Sequence, residues 1–106
     1  MLATTGLRRA ATLPQVPTAR EQGLPFDVTT WQAIFLPKDT SETIVRRLNQ
    51  AISETLDTPS VRDRFKSIGE EVTVPERRGP EYLAKFVVSE IERWSEPIRA
   101  SGATMD

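Results

Sequence analysis

Two kinds of side chain in this sequence could do chemistry: close carboxylates and adjacent arginines. Glu70-Glu71 and Glu90/Glu92 are the nearest acidic clusters, and two carboxylates at a fixed separation can share acid–base work. Their spacing argues against it. Neighbours on a strand point to opposite faces, and residues two apart on a helix do not share a face. Both clusters therefore read as solvated charge. Glu54, Asp57 and Asp63 offer oxygen ligands to a hard cation, but they lack the dense acidic loop that calcium needs. Arg8-Arg9, Arg46-Arg47 and Arg77-Arg78 are arginine pairs, and each could grip an anion bidentately. Adjacent residues on a helix diverge by about 100°, so Arg46-Arg47 reads as a solvated face. Arg77-Arg78 precedes a helix, where a phosphate could meet the free amides. Solvation is the plainer reading for all three pairs.

Trp31 is the remaining candidate. It stands beside Thr29 and Thr30. An aromatic wall with a few hydroxyls is what lines a ligand cleft, and a tryptophan is equally at home in a core. Both readings stay open at this point. Trp94 falls at helical spacing and reads as packing.

What is missing narrows the chemistry further. There is no cysteine and no histidine. That excludes a thiol nucleophile, a Cys-ligated metal site, and the commonest general base. No Gly-rich phosphate loop, nucleophile elbow or zinc motif is present. Fourteen basic residues against fifteen acidic ones leave a net charge of -1, without the basic excess of a nucleic-acid binder. We expect no cofactor, no metal site and no nucleic-acid partner.

The elements that must position Trp31 and its neighbours follow from period and punctuation. The 106 residues, 38% of them apolar, suit one domain at most. The longest wholly apolar run is Ala33-Ile34-Phe35-Leu36, far short of the roughly 20 residues of a membrane helix. Polar Thr4-Thr5-Gly6 follows Met1-Leu2-Ala3, so no signal peptide is expected. Nor does a hydrophobic stretch follow Arg8-Arg9, as a twin-arginine leader requires. Leu2 to Thr5 is a short strand. Leu13-Pro14-Gln15-Val16-Pro17 is a turn, because each proline extends its predecessor. Thr18-Ala19-Arg20-Glu21 is a capping box for a one-turn helix, and Gly23 stops it.

Phe26 to Leu36 has the best strand composition, closed by Pro37. Phe26, Val28 and Thr30 alternate, and the second half is continuously apolar, so the strand passes between two packing environments. A helix capped by Thr40 or Ser41 follows, with Ile44, Val45, Leu48, Ala51, Ile52 and Leu56 on one face. Thr58-Pro59 opens a second helix, lined by Val61, Phe65 and Ile68 and ended by Gly69. Glu71-Val72-Thr73-Val74 alternates as a short strand. Gly79-Pro80 opens the last helix, with Leu83, Phe86, Val87, Ile91, Trp94 and Ile98 as its stripe. Pro97 should kink or end it.

Several of these segments, in order, resemble one family. Leu2-Ala3-Thr4-Thr5-Gly6 with Arg8-Arg9 resembles its opening strand here. Leu13-Pro14-Gln15-Val16-Pro17-Thr18, Glu21 and Gly23-Leu24-Pro25 resemble its Pro-Thr box, and Trp31 through Pro37 its tryptophan strand. Leu48-Asn49-Gln50-Ala51, Pro59-Ser60-Val61-Arg62-Asp63-Arg64-Phe65 with Gly69, and Glu90-Ile91-Glu92-Arg93-Trp94 complete the series. The family is that of the substrate-binding proteins of tripartite tricarboxylate transporters, the Bug family. Two departures stand out: Thr40-Ser41 replaces the usual Thr-Pro, and Gly79-Pro80 is a weaker cap than Thr-Pro or Ser-Pro.

The resemblance implies an α/β fold, the C-terminal and incomplete portion of a type II periplasmic-binding-protein-like fold. Residues 1–25 would end the second lobe, 26–37 would form the crossover or hinge strand, and 38–106 would form the C-terminal part of the first lobe. It implies a periplasmic receptor and no enzyme, closing two lobes on a small organic carboxylate and working with membrane transporter subunits. This chain would be a fragment unable to bind alone, with Thr30 and Trp31 as its cleft residues. The alternative is a small helical interaction module that self-associates or binds a partner.

Overall fold

The computed structural model describes residues 3–103. It divides into two units. One comprises the residues up to Pro37 together with 54–72, and the other comprises 38–53 and the residues from Thr73 onward.

The first unit is organised by backbone pairing around Thr4. Thr4 and Thr18 form a parallel bridge, the only isolated bridge among the described residues. The Thr4 amide donates to the Pro17 carbonyl and the Ala19 amide to the Thr4 carbonyl, both at 2.8 Å. The Val28 amide donates to the Thr5 carbonyl, also at 2.8 Å. The expected strand at Leu2–Thr5 is therefore present as this bridge, with Leu2 itself outside the described residues. Thr18 and Ala19 are buried, at 2% and 5% exposure.

The capping box forms as expected. The Glu21 amide donates to Thr18 Oγ1 at 3.2 Å, and the Thr18 amide donates to Glu21 Oε2 at 2.7 Å. The one-turn helix expected after it is instead a hydrogen-bonded turn, in which the Gln22 amide reaches the Thr18 and Ala19 carbonyls and the Gly23 amide the Arg20 carbonyl. Gly23 then takes φ 84°, a left-handed value that a side chain resists.

Residues 24–37 form no helix, and near their start the Phe26 amide turns back to the Leu24 carbonyl at 2.7 Å. The strand expected over Phe26–Leu36 is nonetheless not realised as part of a sheet: the described residues form no β-ladder there. A strand, unlike a helix, takes its hydrogen bonds from neighbours, and beyond the Val28 link no strand lies alongside. The strand expected at Glu71–Val74 is corrected for the same reason. That stretch is irregular and leads into a 3₁₀ turn, Pro75–Arg77.

Three α-helices follow their sequence signals closely. Helix α1 spans Glu42–Leu56, so Ser41 rather than Thr40 takes the cap position. Val45, Leu48, Ile52 and Leu56 are half-buried, whereas Ile44 is exposed. Helix α2 spans Pro59–Ser67, with Thr58 at its cap and proline at its first position. The Thr58 hydroxyl does not cap; it donates to the Thr55 carbonyl at 2.8 Å. Gly69, at φ 80°, ends the turn after α2.

Helix α3 spans Pro80–Ser101. Its inner side is Leu83, Phe86, Val87, Glu90 and Trp94, all half-buried. Ile91 and Ile98, expected on that stripe, are exposed instead. Pro97 does not end the helix, which continues to Ser101 and closes at Gly102 with φ 68°. Proline's fixed φ is itself helical. The helix runs on although Pro97 supplies no amide donor and its ring crowds the carbonyl of Arg93.

Candidate functional site

The two residues singled out as cleft candidates, Thr30 and Trp31, lie on the non-helical stretch 24–37 of the first unit. Both are exposed, Trp31 to 42%. They are flanked by other uncovered apolar side chains: Phe26, Ile34 (62%) and Phe35 (63%). Aromatic faces with threonine hydroxyls can hold and orient a small ligand. They supply no acid, base or nucleophile of useful pKa.

A second feature of the first unit is an open hollow of about 340 Å³ between residues 10–11 and the end of α2. Arg62, Lys66, Glu70 and Glu71 line it. Its charges are partly spent already. Arg62 Nη2 lies 2.7 Å from Asp57 Oδ1, and Glu71 Oε2 accepts from Arg8 Nη2 at 2.9 Å. The mixed lining gives an anion no net attraction.

Arg9 and Arg46, exposed as the solvated reading has them, also hold neighbouring segments. Arg9 Nε donates to both carboxylate oxygens of Glu21, at 3.1 and 3.0 Å, while Nη1 donates to the Pro14 carbonyl at 3.1 Å. The hydrogen bond from Arg9, followed by the Thr18 amide, holds the Glu21 carboxyl below its ordinary range. The same contacts raise Arg9. In the second unit Arg46 pairs with Glu42 one turn earlier on α1, at 3.2 Å, and with Glu81 in the first turn of α3. Glu81 is held low by its own backbone amide and then by Arg46.

Arg78 is the residue that sequence reasoning assigned least well. It reads as a possible phosphate contact ahead of α3. In the structure Nε donates to the Thr73 carbonyl at 2.8 Å and Nη1 to the Ser53 carbonyl at 3.2 Å. Ser53 is in the last turn of α1, whose carbonyls have no helical partner. Asn49 Nδ2 donates back to the Arg78 carbonyl. The one available signal was that α1 carries no basic residue in its own last turn.

Among the described residues no group of three or more His, Cys, Asp or Glu could hold a metal ion, and no helix is long and apolar enough to cross a membrane. The backbone resembles solved binding proteins. It is similar to MatC from Rhodopseudomonas palustris with bound malate, at a TM-score of 0.82 and 44% identity, covering 89% of this chain and 32% of that one. It is similar to the periplasmic binding protein BugD, at a TM-score of 0.84 and 33% identity, covering 94% and 33%. The fold is thus a portion of the periplasmic-binding-protein class, α/β as expected, though the described part is mainly helical.

A curated Pseudomonas protein from a tcbD-tcbE intergenic region is 40% identical over 99 residues, 92% of this chain and 29% of that one. The pattern of the tripartite tricarboxylate transporter family receptor matches residues 1–103. The chain belongs to that family, a family of transport receptors and not of enzymes. It spans about three tenths of that relative's length.

Proposed function

We propose that this chain contributes to a periplasmic solute-binding receptor whose ligand is a small organic carboxylate. The observation that carries the reading is its 44% identity and shared backbone with MatC, a protein solved with bound malate. The mechanism is closure of two lobes around the ligand, which biases an open–closed equilibrium and makes or breaks no bond. Residues 1–25 end one lobe, 26–37 cross between lobes, and 38–106 belong to the other. Thr30 and Trp31 sit on the crossover, where an indole wall and a hydroxyl donor would face the ligand. The receptor hands its cargo to membrane transporter subunits.

The chain spans only a third of MatC, so by itself it holds an incomplete cleft. Calorimetry on the 106-residue chain should show no saturable binding of malate, citrate or succinate. A hybrid in which this chain replaces the matching third of MatC should bind malate, and Trp31→Ala in the hybrid should weaken binding at least about tenfold. Trp94→Phe should leave it unchanged. Micromolar binding by the chain alone would overturn the incomplete-cleft reading. A folded hybrid blind to every carboxylate tried would overturn the receptor reading.

A further inference from the structure

Helix α3, in the second unit, carries two apolar stripes. The inner one, through Leu83, Phe86, Val87 and Trp94, is half-buried. The outer one runs through Ala84, Val88, Ile91, Ser95 and Ile98, all of them exposed, with Ile91 open to 64%. Its steps of four, three, four and three residues are those of a heptad seam, the spacing along which one helix meets another. Apolar residues exposed singly are ordinary on a surface, but a seam held over about four turns is an interaction face.

Charge along the flank of the seam selects its occupant. Lys85, Glu92 and Arg99 each follow a seam residue, lie one heptad apart and alternate in sign. Against a parallel second copy, this flank would face Val87 and Trp94, which carry no charge. Against an antiparallel copy, the flank faces itself. Two antiparallel registers bring the apolar positions together. One sets Val88 against Ile98 of the second copy, and it opposes Lys85 to Arg99 and Glu92 to Glu92. The other sets Val88 against Ile91 twice, with Ala84 against Ser95 at each end, and it opposes Lys85 to Glu92 twice. Opposed like charges cost about what opposite charges contribute, so the second register is favoured. It is two-fold symmetric about the midpoint between Ser89 and Glu90, so one surface serves both partners.

We propose that α3 pairs with α3 of a second copy of this chain, antiparallel, through Val88 and Ile91, with Lys85 and Glu92 exchanged across the seam. About three turns of each helix take part. That is less than the roughly 1,000 Å² of a lasting interface, so the pairing is reversible. It does not depend on the receptor reading.

Sedimentation equilibrium of the 106-residue chain tests this. The chain should pass from monomer to dimer between about 10 μM and about 1 mM. Ile91→Ser should raise the midpoint of that passage at least about tenfold. Its helical circular dichroism should not change, since Ile91 is exposed. Lys85→Glu and Glu92→Lys should each raise the midpoint about tenfold on their own. An equimolar mixture of the two variants should return to within about threefold of the parent, because each then meets its opposite charge. Unweakened pairing in either single charge variant, or a mixture no tighter than the variants alone, would overturn the proposal. So would a dimer indifferent to Ile91→Ser, which would place the interface elsewhere. A chain that stays monomeric up to about 1 mM would also overturn it; if Ile91→Ser then lowered the thermal midpoint of the MatC hybrid, the rest of a receptor would be what covers the face.

Discussion

Replacing Arg78 by alanine should lower the stability of the second unit by about 1.5 kcal/mol. The guanidinium holds two neutral carbonyls, Thr73 at 2.8 Å and Ser53 at 3.2 Å. A hydrogen bond to a charged group contributes about 1.5–3 kcal/mol when buried. Arg78 is only half-buried, so water competes, and half of the lower bound for each bond gives about 1.5 kcal/mol in total. Part of that is the placing of a cation at the end of α1, worth about 0.3–1 kcal/mol, which α1 does not supply from its own last turn. With an m-value of about 1.2 kcal/mol per M, the urea midpoint followed by circular dichroism should fall by about 1.3 M. Arg78→Lys should recover less than half, because one ammonium on a flexible stem cannot span both carbonyls. Since the acceptors are neutral, raising the salt from about 0.05 to about 0.5 M should trim only the helix-end part and leave most of the difference in place. A midpoint for Arg78→Ala within about 0.3 M of the parent, or full recovery by lysine, would refute the reasoning.

Two more outcomes follow from the first unit. The Glu21 carboxyl is held below its ordinary value of 4.5 by Arg9 and the Thr18 amide. Its contribution is thus present above the unfolded value and lost as pH falls through the lower folded one. The stability difference between the parent and Glu21→Gln, measured by urea unfolding from about pH 6 to pH 3, should shrink on acidification; parallel curves would remove the clip from the argument. Gly69→Ala should cost about 1 kcal/mol, since Gly69 has φ 80° and an added Cβ would come within 3.3 Å of Thr12 Oγ1. A thermal midpoint unchanged by that substitution would mean the turn after α2 relaxes freely.

What the sequence made legible was whatever carries its own hydrogen bonds. Pro59 and Pro80 marked the first turns of α2 and α3, and Gly23 and Gly69 fell at left-handed stops. The Thr18–Glu21 box formed atom for atom, because both partners lie within four residues. The failures are nonlocal. Phe26–Leu36 and Glu71–Val74 have strand composition, yet a strand exists only where another lies beside it. Ile91 and Ile98 fit the helical period of α3 but face outward, since period alone does not say how wide the covered face is. Arg78 bonds to backbone carbonyls, which leave no mark on side-chain patterning.

This division bears on what the chain is for. Among the described residues only Thr18 and Ala19 are buried, while the backbone matches MatC over 89% of this chain. A core that small cannot be what imposes the course of 89% of a chain. Caps, prolines and left-handed glycines impose it locally, and ion pairs such as Arg9–Glu21 and Arg46–Glu81 hold neighbouring segments. The apolar side chains that a core would use are instead turned outward at Phe26, Ile34 and Phe35. They lie on the same stretch as Thr30 and Trp31. Under the receptor reading proposed above, ligand binding at Trp31 and order in that stretch are coupled, because an indole that closes on a carboxylate must first be held still. That proposal makes the affinity for a carboxylate depend on the packing of residues 26–36 as well as on Trp31. Substitutions at Ile34 or Phe35, which need not touch the ligand, should then weaken malate binding in the MatC hybrid alongside Trp31→Ala.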